Sequence, residues 1–143
     1  MRTCGFLVSW RRALCAALVV STAGSTLSDR LAAAAEEFPF DQELLMEARP
    51  MPGSKRVPTL DVRPDGAVLI DLWCNSVQGQ LVVAANTITV LTGSKTDRSC
   101  SPERLRRDEE MLSALEQVTT WRRDGDAVVL IGPQSLRFYR ATN

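Results

Sequence analysis

Cys74 and Cys100 are the only cysteines beyond residue 35, and they are the first residues here whose type and spacing suggest chemistry. In an exported domain an even pair reads as a disulfide. Two buried free thiols are the alternative. A redox pair is the weakest reading, because 26 positions separate the two and no C-x-x-C spacing exists. Closing a loop of that length would stabilise the fold by roughly 3–4 kcal/mol on the chain-entropy model. The chain contains no histidine. Serine–histidine and cysteine–histidine catalysis are therefore excluded, and two cysteines alone fall short of a four-ligand zinc site. A paired-carboxylate mechanism survives in principle. However, Glu43, Glu47, Asp61 and Asp65 are scattered over turns and strand ends with no spacing that pairs them. Asp71 interrupts an apolar run, and Trp73 and Trp121 lie in strand-like segments. These three are the candidate partner-binding residues. Their alternative readings are a solvent-facing position for Asp71 and sheet packing for the indoles. No catalytic residue, cofactor site or metal site is assigned.

Two other patterns carry less. Gly93-Ser94-Lys95-Thr96 resembles the end of a phosphate loop but lacks the upstream glycine and a following helix. Arg104, Arg106 and Arg107 alternate with Asp108, Glu109 and Glu110, which reads as a solvated helix face with weak ion pairs.

The charges are unevenly distributed. Acidic and basic residues number 17 each, yet Arg2, Arg11, Arg12 and Arg30 face one acid, Asp29, in the first 35 positions. Ala13 to Val20 is a short apolar run, and Ala32-Ala33-Ala34-Ala35 offers an A-x-A site. Basic start, short apolar stretch and small residues make a cleavable export signal over 1–35. Cutting after Ser25 is the alternative to cutting after Ala35. Arg11-Arg12 leaves the twin-arginine route open beside the general one. Eight apolar residues reach only about 12 Å as a helix, against a bilayer core of about 30 Å, so no stable membrane anchor is expected after cleavage. Leu14 before Cys15 argues against a lipid anchor. Residues 36–143 carry a net charge of −3, which disfavours nucleic acid as a partner. The expected location is the periplasm or the exterior.

The elements that must position these residues are mostly strands. Residues 36–56 read as an extended lead-in segment, with Asp41 capping a short helical turn through Glu43–Met46 and Pro50, Pro52 and Pro58 blocking any longer helix. From 57 to 143 a separate domain is expected. Thr59–Val62 alternates, Arg63-Pro64-Asp65-Gly66 turns, and Ala67–Cys74 returns, with Val68, Ile70, Leu72 and Cys74 on one face. Asn75–Gly79 reads as a turn and Gly93–Asp97 as a loop. Between them, two strands meet at an Ala85-Asn86 hairpin. One helix is expected over 102–118, with Ser101 as N-cap, Pro102 at its first position, and Leu105, Met111, Leu112, Leu115 and Val118 as its apolar stripe. Three more strands, turning at Asp124-Gly125-Asp126 and Gly132-Pro133-Gln134, complete the chain. The fold class is α+β: an antiparallel sheet of about six to eight strands packed against a single helix.

The order of these motifs resembles the META/HslJ domain family. Asp71-Leu72-Trp73-Cys74-Asn75, then Arg98-Ser99-Cys100-Ser101-Pro102-Glu103, then the helix, then Trp121 to Leu130 and Leu136-Arg137-Phe138 follow that family's pattern over about 57–140. Trp73 stands where the family usually has glycine. The resemblance implies a small antiparallel sheet with one helix in an exported setting, and both cysteines fall at motif positions, which favours a structural role. Members are linked to heat shock, novobiocin resistance and parasite motility, and no catalytic residues transfer. The expectation is a monomeric, non-enzymatic envelope-stress or interaction protein that binds an unknown envelope protein or component through a sheet face or the 50–58 segment. A periplasmic enzyme inhibitor or a small hydrolase-like enzyme with a carboxylate site is the alternative.

Overall fold

The computed structural model describes residues 36–52, 54 and 56–141. The expected export signal, the two expected cleavage points and Cys15 lie outside the described residues. Eight strands and one helix follow in order: β1 Gln42–Met46, β2 Thr59–Val62, β3 Ala67–Asp71, β4 Ser76–Ala84, β5 Thr87–Lys95, α1 Pro102–Glu116, β6 Thr120–Asp124, β7 Ala127–Ile131 and β8 Leu136–Arg140. Every strand pairs antiparallel with its sequence neighbour.

The sheet does not stay open as expected. β1 pairs with both β2 and β8, with Leu44 opposite Leu60 on one side and Met46 opposite Phe138 on the other, so the eight strands close into a barrel. Closure pairs the two outer strands that an open sheet would leave bare. It also corrects the reading of 42–46 as a helical turn, because a strand there satisfies its backbone groups against two neighbours at once. The segment taken as a lead-in is thus part of the barrel itself.

Alternate side chains fill the interior, as an eight-stranded barrel requires. Leu44, Leu60, Val62, Ile70, Val77, Ile88, Leu130 and Phe138 are among its fully buried members. Gly79 and Gly93 sit within strands rather than in the turn and loop expected for them. A Cβ on Gly79 would lie 2.5 Å from the Leu91 carbonyl oxygen, and one on Gly93 would lie 2.8 Å from that of Gln78. The glycines therefore mark a close backbone approach where the β4–β5 register shifts between Val77 and Gly79.

The weakest seam lies between β5 and β6, which pair only at Thr87 and Thr120. The intervening chain makes α1. Ser101 occupies the N-cap position with extended backbone, but its side chain makes no capping hydrogen bond. The helix stops at Glu116, two residues short of the expected end. Met111, Ala114 and Leu115 are buried and belong to one apolar cluster with the barrel residues. Among the described residues no helix is long and apolar enough to cross a membrane.

The β4–β5 hairpin turns at Ala85-Asn86, as expected, but Ala85 adopts φ 52°, a conformation that costs an L-residue with a Cβ. Ala85 is exposed. Ala85→Gly should therefore raise stability by about 0.5–1 kcal/mol in urea unfolding. No gain, or a loss, would show that the strain is absent.

Candidate functional site

β3 ends at Asp71, and the chain then turns through Leu72-Trp73-Cys74-Asn75 before β4 begins. The Leu72 amide donates to the Asn75 carbonyl at 2.8 Å, which makes the turn tight. Its anchor is Asp108 on α1, which is fully buried. One Asp108 oxygen accepts from the Cys74 amide at 3.0 Å. The other accepts from the Asn75 amide at 2.8 Å and from Asn75 Nδ2 at 3.2 Å. Asn75, 2 % exposed, passes the connection on. Its Oδ1 accepts from Thr96 Oγ1 at 3.0 Å and from the Arg98 amide at 2.9 Å. A Cys74–Cys100 disulfide closes the same region. Three stretches distant in sequence (the 72–76 turn, the 96–100 segment and α1) are thereby locked together.

This placement corrects the reading of Asp108 as part of a wet, charged helix face. Glu110 does sit on that face, paired with Arg106 at 2.6 Å and Arg107 at 3.5 Å, all well exposed. Such pairs are worth tenths of a kcal/mol. Asp108 points the other way, three positions before Met111 and seven before Leu115, in the middle of the apolar stripe. A charged residue at that helical phase was the available signal.

The locked turn presents Trp73 half-buried between two clefts. One, of about 430 Å³, lies between the 46–52 segment and α1 and includes Met46, Met51, Met111 and Leu136. The other, of about 720 Å³, spans the disulfide and the ends of β1 to β3, and is lined by Glu43, Asp71, Arg56, Arg98 and Arg104. Asp71 is exposed there and accepts a hydrogen bond from Ser76 Oγ. The structure thus brings Asp71, Trp73 and the disulfide together.

Trp121 does not join them, and it is corrected as a surface candidate. It is 2 % exposed, its Nε1 donates to the Ala85 carbonyl at 2.8 Å, and its ring meets Phe38 edge-on at 5.1 Å. An indole on the inward phase of β6 gains more from filling the barrel than from water. Sequence reading also missed Asn75 and the 430 Å³ cleft, because the cleft's walls come from segments that meet only in the fold.

The described residues with shifted ionisation lie elsewhere, on the exposed surface around β6 and β8. The Arg137 guanidinium hydrogen-bonds Asp124 and holds its carboxyl below the ordinary range, aided by attraction to Arg137 and Arg122. The same hydrogen bond raises Arg137. A depressed carboxylate adds stability above its unfolded value and loses it as pH falls through the lowered folded value. Carbon-detected titration should therefore place the Asp124 midpoint below that of a free aspartate. Arg137→Gln should return it to the ordinary range. An unmoved midpoint in the variant would assign the shift to another cause.

A family model described as the META domain matches residues 39–143. No curated protein matches the chain. Among solved structures, an NMR structure of a protein from Burkholderia xenovorans aligns with a TM-score of 0.58 at 18% identity, covering 81% of this chain and 97% of that one. A second NMR structure aligns with a TM-score of 0.55 at 15% identity, covering 69% and 88%. A DUF4847 family protein from Bacteroides vulgatus is 14% identical, with a TM-score of 0.48 and 57% of each chain covered. At such identities the two NMR structures speak to the fold alone.

Proposed function

Because the chain belongs to the META domain family, we propose that it is an exported, non-enzymatic interaction module of the cell envelope, which uses the surface around Trp73 to bind its partner. The observation that carries this reading is Trp73 itself. A half-buried indole stands between two clefts on a turn whose neighbours are fixed by Asp108, Asn75 and the disulfide. A rigid aromatic at the rim of a cleft contributes large contact area at little entropic cost, which is how interface anchors work. The disulfide supports an oxidising compartment, periplasmic or extracellular. The basic, alanine-ending first 35 residues support the same address. The module works as a monomer, and its envelope-stress role predicts that a deletion strain becomes sensitive to heat, detergent or novobiocin.

Site-specific photo-crosslinking tests the contact surface. A crosslinker at position 73 or 71 should give one discrete adduct in intact cells, and a crosslinker at Leu91, exposed on β5, should not. Equal labelling at all three positions would reject the Trp73 surface. Mass spectrometry of the same protein should find a new N-terminus at Glu36 or Thr26. Retained Met1 with reactive thiols at 74 and 100 would reject export.

A second reading rests on Glu43 and Asp71, which line the same cleft. Under it the protein is a small hydrolase. Turnover of a glycoside or ester substrate that is lost in both Glu43→Gln and Asp71→Asn would favour it over a binding module. A blank assay, together with inhibition of a copurifying enzyme, would identify an inhibitor instead.

A further inference from the structure

The chain has four methionines, and the three beyond Met1 all line one cavity. Met46 ends β1, Met51 lies in the 47–58 connection, and Met111 is on the buried face of α1. Three separate segments therefore bring their only thioethers to the same cleft of about 430 Å³, and Trp73 forms part of its wall. Met51 and Met111 are buried, and Met46 is partly buried against the barrel core.

Thioether sulfur is a soft, uncharged donor that favours soft monovalent metals such as Cu(I). Other soft donors are not on offer in the described residues. Cys74 and Cys100 are tied up in the disulfide, and the chain has no histidine. The soft-donor capacity of the domain is thus concentrated in this one cleft. The ionic groups at its rim oppose one another: Glu103 and Glu110 against Arg49 and Arg107. Such a rim offers a hard divalent cation little, since magnesium and calcium need a surplus of oxygen ligands. A soft cation held through sulfur needs no such surplus. The face of an indole adds attraction for any cation lodged beside it. In an oxidising compartment, where paired thiols form disulfides, thioethers keep their donor capacity.

We propose that the cleft between the 46–52 segment and α1 is a soft-metal site that takes one Cu(I) or Ag(I) ion through Met46, Met51 and Met111, with Trp73 alongside. The site shares Trp73 with the partner surface proposed above, but it rests on the three methionines and does not need that partner to bind. Binding involves no change of oxidation state and releases no proton, because a thioether carries none.

The test uses the full chain with Cys4 and Cys15 replaced by serine, so that no free thiol competes. Methionine methyl groups are labelled with ¹³C and silver nitrate is added. The Met46, Met51 and Met111 signals should shift together and saturate at one silver ion per chain, with Met1 unaffected. Emission quenching should accompany the shift and be lost in Trp73→Phe. Zinc and magnesium should move none of these signals. Each single Met→Leu variant keeps side-chain volume and should weaken silver binding about tenfold or more, at least the loss seen when a metal site's supporting partners are removed. Three methyl signals that stay put at stoichiometric silver would overturn the proposal, as would undiminished binding in the triple leucine variant. If a leucine variant fails to fold, the titration of the native methionines alone decides.

Discussion

Asp108→Ala should destabilise the domain by about 3–5 kcal/mol, a large share of the 5–15 kcal/mol that holds a typical domain together. Two backbone amides and the Asn75 side chain donate to this carboxylate in a fully buried position. Removing it strands those donors away from water, and each stranded donor costs on the order of 1–3 kcal/mol. Asp108→Asn is the sharper variant. It keeps shape and volume but turns an NH₂ group toward amide donors, so it should recover little of the loss. Urea unfolding followed by tryptophan emission would give both values. The native emission of Trp73 should also shift, because the turn that carries it loses its anchor. A loss under about 1 kcal/mol in both variants would mean that the network is ornamental and that something else fixes the turn.

Opening the disulfide should cost roughly 3–4 kcal/mol, the entropy of a loop of this length. Cys74→Ser with Cys100→Ser, or the native protein in reductant, should lower the unfolding free energy by that amount, read as a fall in the urea midpoint. Asp108 and the disulfide restrain the same turn from opposite sides, since the Cys74 amide bonds to Asp108 while its sulfur bonds to Cys100. Their losses should therefore not add. With Asp108 already replaced, opening the disulfide should have a different effect from that in the native protein. Strict additivity would show that the two restraints act on independent parts of the fold. If the native midpoint does not respond to reductant under conditions that release both thiols, the cross-link contributes nothing to stability.

Much of the local structure was legible. Alternation placed β2 and β3 close to their observed positions, because a strand that buries one face must alternate, and the turn residues between β6, β7 and β8 placed those three. Pro102 and the stripe from Leu105 to Leu115 announced α1. The even pair of cysteines announced the cross-link. The illegible parts share one cause. Gln42–Met46 is too short for periodicity to separate a helical turn from a strand, and only its pairing with β2 and β8 decides. Asp108 was assigned by its charge when its helical phase pointed inward. Trp121 and Trp73 are the same residue type in similar strand-like settings, yet one fills the barrel and the other lines both clefts.

From the chain alone came the strand-rich α+β class, the single helix, the family, the pairing of Cys74 with Cys100, and the lack of any histidine-based chemistry. These depend on residue type and short-range spacing, which a linear text carries. Barrel closure, the burial of Asp108 and the gathering of three methionines beside one indole were decided only in three dimensions. An alternating strand looks the same whether its sheet lies open or curls shut. Which distant segments then share a wall depends on how the first strand meets the last.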